Sequence, residues 1–129
     1  MIITGNLEDV KNVANNVLNV DEIWYIVRSL KPMQLINGVV SKHIPLLSPS
    51  IELFYQKEQL RKKYQWTKNV FDISFKPKFV SEIKTNNEAV SLIKYLATTE
   101  KRILLVCYCA REDMCHRSII KEMVNEYKK

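Results

Sequence analysis

The sequence predicts one α/β domain built in three layers, with a mostly parallel sheet and helices on both of its faces. Short apolar segments with the composition of strands alternate with longer segments of helical periodicity, which is typical of β-α-β units. Four successive branched apolar residues, 103–106, suit a strand buried on both faces in the middle of a parallel sheet. A chain of 129 residues is long enough for one compact domain and too short for two ordinary ones, so residues 1–129 are expected to form a single domain.

The first predicted elements are a strand, a helix and a second strand. Residues 1–5 predict a short strand, and Asn6 is placed to cap the helix that follows. Residues 22–28 are rich in β-branched and aromatic side chains and predict the second strand, with Arg28 near its carboxyl end. Three prolines and a glycine in residues 29–49 predict an irregular, mobile connection with short pieces of structure. The apolar face of the first helix comprises Leu7, Val10, Val13, Ala14, Val17 and Leu18.

The middle of the chain predicts a helix with a basic face. Residues 51–64 have helical periodicity, and Ser50 precedes them as a cap. We expect Ile51, Phe54, Tyr55 and Leu60 to point inward and Lys57, Arg61, Lys62 and Lys63 to point outward. Alternation in residues 70–75 then predicts a strand, although the same spacing of aromatic residues also suits a packed loop.

The last third predicts a helix, a strand and a final helix. Residues 85–99 carry apolar side chains at helical spacing, with Asn86 or Asn87 as the cap. Residues 102–109 predict the central strand, and residues 118–127 predict the last helix.

Composition limits the partners and the compartment. Lys and Arg total 20 against 14 acidic residues, and the resulting charge of +6 attracts phosphate-bearing partners, including nucleic acid. Apolar runs fall short of the roughly 18 residues of a membrane span, and the first residues do not resemble a signal peptide. Three clustered cysteines do not make a disulfide framework. We therefore expect a cytoplasmic protein with reduced thiols and no membrane partner.

A cysteine-rich turn near the C-terminus is the most informative feature of the chain. Residues 107–116 contain all three cysteines and one of the two histidines, between the central strand and the last helix. With Asp113 as the helix cap, the free N–H groups of the first turn would face an anion above the sheet. We expect Arg117 to bind phosphate oxygens, Ser118 to donate one more hydrogen bond, and Arg111 and Arg28 to add charge.

The same turn supplies candidate catalytic groups. Cys115 or Cys109 would act as a nucleophile and His116 as an acid or base. Each residue also has a structural interpretation, because cysteine is often buried and a histidine in a turn often binds a carbonyl oxygen. Cys107 is expected to pack in the core. Enzymatic activity therefore stays open.

Several other sites can be weighed from spacing. The cysteine-to-arginine spacings do not match a tyrosine-phosphatase loop, and two glycines are too few for a Walker or dinucleotide-binding loop. Cys107, Cys109, Cys115 and His116 are suitable zinc ligands, but a pair only two residues apart on a rigid strand argues against that site. We expect no metal and no cofactor, and keep a structural zinc site as an alternative.

Three stretches resemble the bacterial and phage family catalogued as domain of unknown function 488. They are 104–109 followed by Cys-His-Arg-Ser at 115–118, then Leu-Ser-Pro-Ser and the helix start at 47–55, and Trp-Tyr-Ile-Val-Arg at 24–28 with Pro32. Ile26 stands where that family usually has an acidic residue. The resemblance implies an α/β fold and a site formed by Arg28, Cys109, Cys115, His116 and Arg117 at one sheet edge. It implies no reaction.

The favoured hypothesis is a protein that binds a phosphate-containing small molecule, such as a nucleotide or its derivative, at the Cys-His-Arg turn. The alternative is a phage-encoded basic module that binds nucleic acid or a host protein through Arg61, Lys62, Lys63 and the basic C-terminal tail. Oligomeric state cannot be inferred from the sequence.

Overall fold

Four parallel strands form the centre of the molecule. The structure is a computed structural model that describes residues 1–128. The strands are β1 (Ile2–Gly5), β2 (Glu22–Tyr25), β3 (Val40–His43) and β4 (Ile103–Val106), in the spatial order β1-β4-β2-β3. All of their pairings are parallel. The predicted α/β fold is confirmed, and β4 lies inside the sheet as its four branched apolar residues predicted.

Helices cover the sheet. They are α1 (Leu7–Ala14), α2 (Ile51–Lys62), α3 (Lys68–Val70), α4 (Lys76–Lys84), α5 (Asn87–Thr98) and α6 (His116–Lys128), with a π-helical segment at Phe71–Phe75 and 3₁₀ turns at Pro45–Leu47 and Glu112–Met114.

Alternate residues of the central strands feed two separate apolar cores. Ile103 and Leu105 of β4 pack in a cluster with side chains from α4, α5 and α6. Leu104 and Val106 face the other way, into a cluster that includes Val10 of α1 and apolar side chains of the connection after β2. This alternation is the ordinary period of a strand. Because both faces of β4 are covered, the domain has three layers.

Helix caps follow the sequence closely. The side chain of Asn6 accepts from the backbone of α1, Ser50 accepts from Leu53 N at the start of α2, and Asn86 caps α5. Each cap satisfies a backbone donor that would otherwise lack a partner. Several ends nevertheless differ from the prediction. Helix α1 ends before Val17 and Leu18, β2 ends before Arg28, and the irregular connection contains the edge strand β3.

The predicted strand at residues 70–75 is wrong, because this segment is helical. Phe71, Phe75 and Phe79 are spaced by four residues, and their rings stack in sequence at 5.6 and 6.1 Å. Strand alternation would have put Ile73 on the same side, but Ile73 is 68% exposed. A proline cannot donate to the helix and crowds the preceding turn. The π-helical segment lies just before Pro77, where that disruption falls.

The orientation of α2 was also predicted wrongly. Leu53 is the residue of α2 that is buried, whereas Ile51, Phe54 and Tyr55 are exposed. Lys57 lies one turn after Leu53, so it is half-buried rather than outward. The cap at Ser50 fixed where the helix begins, but the packing of Leu53 fixed which way it faces.

A buried carboxylate secures the amino end of the sheet. Glu22 is 2% exposed and accepts hydrogen bonds from Trp24 Nε1 at 2.9 Å and Lys101 Nζ at 2.8 Å, while Lys42 Nζ lies 3.2 Å away. Burial by itself would raise the pKa of Glu22, but the hydrogen bonds from Lys101, Trp24 and Lys42 outweigh it and lower the pKa from 4.5 to about 2. The ionised form therefore stabilises the fold.

Replacement of Glu22 tests this contribution. A carboxyl group whose pKa is lowered by folding stabilises the protein above its unfolded pKa, and that stability is lost as the pH falls from 4.5 towards 2. We predict that Glu22→Gln costs about 2 kcal/mol at neutral pH and makes the acid-induced fall of the urea midpoint shallower. Glu100→Gln, at an exposed position, is the control. Equal pH profiles for Glu22→Gln and the wild type would contradict this role.

Candidate functional site

The carboxyl ends of the central strands bring the cysteine-rich turn together. Strand β4 ends at Val106, and the chain continues with Cys107, whose N–H donates to the Gly5 carbonyl at 3.2 Å. A loop and the 3₁₀ turn at 112–114 then lead to Cys115 and the start of α6. The strand is therefore shorter than predicted. Cys107 and Cys109 follow it, where the backbone is free to turn.

The three sulfur atoms form a compact cluster. They lie within 4.8 Å of one another, a spacing at which they could hold a metal ion, and the Cys107 and Cys109 sulfurs are 3.6 Å apart. All three are free thiols. Cys107 and Cys115 are buried, whereas Cys109 is half-buried. Solvent therefore reaches the cluster from the Cys109 side.

His116 joins this cluster from the first position of α6. Its Nε2 lies 2.5 Å from the Ile26 carbonyl oxygen, and since a carbonyl can only accept, Nε2 must carry the proton. Nδ1 therefore presents a lone pair, 3.8 Å from the Cys107 sulfur and 3.8 Å from the Cys115 sulfur. Burial lowers the pKa of His116 to about 4, so the ring is neutral at pH 7. Ile26 takes part in this contact through its backbone carbonyl, so the contact does not depend on which side chain stands at position 26.

The Arg117 side chain is buried and binds groups of the protein itself. It is 3% exposed, and its Nη1 donates to the carbonyl oxygens of Cys109 at 2.9 Å and Cys107 at 3.4 Å. The same nitrogen lies 3.9 Å from the Cys115 sulfur, and Nε is 3.7 Å from a Glu112 carboxylate oxygen. The guanidinium thus holds the backbone of the cysteine turn. The sequence suggested that Arg117 binds a phosphate, but its burial closes the guanidinium to a phosphate from solvent, even though Nε has no hydrogen-bond partner.

Charge within the cluster is unevenly distributed. Hydrogen bonds from the thiols of Cys109 and Cys115, with help from nearby Arg117, lower the pKa of Cys107 despite its burial. The pKa of Cys115 is raised by its interactions with Cys107 and Cys109 and by its burial. These directions make Cys107 the more acidic thiol of the pair and Cys115 the less acidic one.

The other predicted ligand-binding residues of this turn do not converge on one point. Arg111 is exposed and binds the Asp113 carboxylate at 2.7 and 3.1 Å. Asp113 is therefore not the cap of α6, which starts two residues later than that cap would place it. Ser118 donates to the Cys115 carbonyl at 2.7 Å, a local bond within the first turn.

Lys57 is a site residue that the sequence analysis missed. Its Nζ lies 3.6 Å from the Cys109 sulfur and 5.4 Å from the centre of the Trp66 ring. The signal in the sequence was the four-residue spacing from Leu53, but the neighbouring aromatic residues suggested a different inward face. Lys57 places a positive charge beside the most accessible thiol.

Arg28 lies at a separate feature, a cavity of about 590 Å³. The cavity is lined by residues that include Arg28, Ser48, Ser50, Glu82, Asn87 and Glu88. Arg28 is exposed, and its Nε donates to the Pro49 carbonyl at 3.0 Å. Neither the cysteines nor His116 and Arg117 line this cavity, so Arg28 does not share it with them.

A protein-family comparison covers both features. A model described as the active DUF488-N3 subclade matches residues 9–128. The chain belongs to this family. The match confirms the resemblance found in three stretches of the sequence, and the DUF488 region includes the cysteine turn and Arg28. Comparisons with curated proteins and with solved structures found no match.

Among residues 1–128, no helix combines the length and the apolar character needed to cross a bilayer.

Thiol reactivity tests the packing of the cluster. We predict that one thiol per chain, Cys109, reacts at least about tenfold faster than the other two with a thiol-specific reagent in the folded, chelator-treated protein. Cys107 and Cys115 should react fully only after unfolding, because they are buried. Mass spectrometry of the labelled peptides would assign the sites, and Cys109→Ser should remove the fast phase. Rapid labelling of Cys115 would contradict the described packing.

Proposed function

We propose that this DUF488 protein binds a phosphate-bearing small molecule, most simply a nucleotide or a derivative, in the Arg28 cavity. The observation that carries the proposal is the position of Arg28 on the wall of a cavity of about 590 Å³, just after the carboxyl end of β2. Ligands of open parallel sheets bind beyond the carboxyl ends of the strands, and cavities of roughly this volume hold drug-sized molecules.

The Arg28 side chain is available for an anion. Its Nε is bound to the Pro49 carbonyl, which orients the guanidinium. Both terminal nitrogens remain for a phosphate group, which a guanidinium can bind with two hydrogen bonds. The positive net charge of the chain, +6, would favour the approach of such a ligand.

The carboxylates of the cavity argue for more than inorganic phosphate. The Glu82 carboxylate already accepts from the backbone N–H and the hydroxyl of Ser50, and Glu88 lies in the first turn of α5. Carboxylates accept hydrogen bonds but do not bind anions. A nucleotide has hydroxyl and amino groups at one end and phosphate at the other. It can therefore donate hydrogen bonds to the carboxylates and accept them from Arg28.

This location differs from the Cys-His-Arg turn predicted from the sequence. Arg117 is committed to two backbone carbonyls, and His116 and Cys115 are buried. The catalytic roles of Cys109, Cys115 and His116 stay predictions, and Cys109 is the member with partial exposure. These predicted roles agree with the description of the matched family as an active subclade. We also infer a cytoplasmic location, since a cluster of three cysteines without a disulfide suits a reducing compartment.

Ligand-induced thermal stabilisation tests the cavity. We predict that a panel of nucleoside mono- and diphosphates contains ligands that raise the melting temperature, and that Arg28→Ala weakens their binding at least about tenfold by removing the phosphate contact. Arg102→Ala, which removes an exposed arginine at the amino end of β4, should bind like the wild type. The absence of a shift throughout the panel, or equal shifts for Arg28→Ala, would overturn the proposal.

A second candidate function is single-stranded nucleic-acid binding on α2. Phe54 and Tyr55 are 47% and 62% exposed on the outer side of this helix, and Lys62 and Lys63 are exposed near its end. Exposed aromatic rings can stack on bases while nearby lysines bind the backbone. Arg61 is held 2.7 Å from Glu58, so its charge is already paired. Of the predicted basic tail, Lys129 lies outside the described residues.

Fluorescence anisotropy with a single-stranded oligonucleotide tests this surface. Binding should weaken steeply with salt, and Tyr55→Ala and Lys62→Glu should each weaken it by about tenfold, because a stacked base contributes about 1–3 kcal/mol. Lys84→Glu makes the same charge change on α4 and serves as the control. If Tyr55→Ala binds the oligonucleotide as tightly as the control Lys84→Glu does, α2 is not the binding surface.

A further inference from the structure

We propose that Cys107, Cys109, Cys115 and His116 bind one thiophilic divalent metal ion, with Zn²⁺ as the probe, in a four-ligand site that joins the end of β4 to the start of α6. The proposal is independent of the Arg28 cavity. It takes up the zinc alternative kept in the sequence analysis, in place of the favoured expectation that the chain binds no metal.

The sulfur positions match the edges of a small tetrahedron. Tetrahedral zinc sites have metal–sulfur bonds of about 2.3 Å, which set neighbouring sulfurs about 3.8 Å apart. The Cys107 and Cys109 sulfurs are separated by 3.6 Å, and all three sulfurs lie within 4.8 Å of one another. Shifts of up to about 1 Å would therefore bring the three sulfurs to one ion.

The ligand atoms that lie within 4.8 Å of one another are the three sulfurs, and His116 Nδ1, which approaches two of them, is the proposed fourth ligand. This nitrogen lies 3.8 Å from the sulfurs of Cys107 and Cys115, and a tetrahedral zinc site requires about 3.6 Å between nitrogen and sulfur. The ring is held in the required tautomer, because Nε2 donates to the Ile26 carbonyl. Metal-binding histidines usually donate their second ring N–H to such a partner, which fixes the orientation of the ring.

Nearby cations compensate the charge of the proposed centre. Three thiolates and a neutral imidazole around a divalent ion carry one negative charge. Arg117 Nη1 lies 3.9 Å from the Cys115 sulfur, and Lys57 Nζ lies 3.6 Å from the Cys109 sulfur. Arg117 also binds the carbonyls of Cys107 and Cys109, which fixes the turn that carries two of the ligands. The surroundings therefore favour an anionic metal–thiolate centre.

The spacing argument against zinc does not apply to the folded chain. That argument placed Cys107 and Cys109 on a rigid strand, where sulfurs two residues apart project in parallel. Because β4 ends at Val106, both residues lie in a turn, and their sulfurs approach each other and Cys115. Closed structural zinc sites use this combination of three cysteines and one histidine.

Metal analysis of the purified full-length chain is the first test. We expect about one zinc ion per chain after incubation with Zn²⁺ and removal of excess metal, and protection of all three thiols from labelling until a strong chelator is added. Co²⁺ in place of zinc should give the strong visible absorption of tetrahedral cobalt together with a sulfur-to-cobalt charge-transfer band. X-ray absorption at the zinc edge should show three sulfurs and one nitrogen.

Two variants assign the ligands. Cys109→Ser changes a half-buried residue and should lower zinc affinity at least about 100-fold, since loss of outer-shell partners alone costs 10- to 100-fold. His43→Gln replaces the other histidine of the chain and should leave metal content unchanged, as should Arg28→Ala. Circular dichroism confirms that each variant is folded.

Three results would overturn the proposal. One is a folded, reduced protein that retains no metal after incubation with Zn²⁺. Another is a cobalt spectrum of the weak octahedral type or an absorption fit dominated by oxygen ligands. The third is unchanged zinc affinity in Cys109→Ser. The spectroscopic measurements use the wild-type chain, so they decide the question even if a ligand variant does not fold.

Discussion

Burial of β4 between β1 and β2 is the constraint on which the site depends. Ile103 to Val106 are fully buried, with alternate side chains entering two different cores. This double burial fixes the register of β4 against both neighbours. The residue after the strand, Cys107, is therefore placed at the carboxyl edge, and the following chain must return across that edge to reach α6. The cysteine turn inherits its geometry from the centre of the sheet.

Polar groups at this edge are directed inward. His116 donates to the Ile26 carbonyl and faces two sulfurs with its other nitrogen, while Arg117 donates to carbonyls of the cysteine turn. These bonds satisfy backbone acceptors beyond the strand ends, which would be costly to bury without partners. Groups that resemble an anion-binding motif in the sequence thus organise a thiol–imidazole cluster. Arg28, at the separate cavity, remains directed towards solvent.

The sequence predicted the features that depend on local chemistry. Caps at Asn6, Ser50 and Asn86, and the central place of residues 103–106, follow from single side chains or from one short run. The errors came from tertiary packing. Nothing local shows that Leu53, rather than Phe54 or Tyr55, faces the core, and the position of Lys57 depends on that choice. In residues 70–75 a period of two and a period of four share the same phenylalanines, and the exposure of Ile73 separates them.

The site was predicted in part for the same reason. Clustering of Cys107, Cys109, Cys115 and His116 follows from their closeness in the chain and the strand-to-helix order. The end of β4 at Val106 and the inward use of Arg117 depend on contacts with distant residues, which the linear spacing does not show. The family model matches residues 9–128, so the cysteine turn and Arg28 both lie within the matched region.

Nitrogen NMR of His116 tests most directly whether this edge is an inward-facing thiol–imidazole cluster. The metal-free, reduced chain should show a neutral ring with the proton on Nε2, and the ring should stay neutral until the pH approaches about 4. A proton on Nδ1, or titration near the ordinary histidine value of about 6.5, would contradict the account. The first result would mean that the imidazole does not present its lone pair to the sulfurs, and the second that the ring is not buried as described.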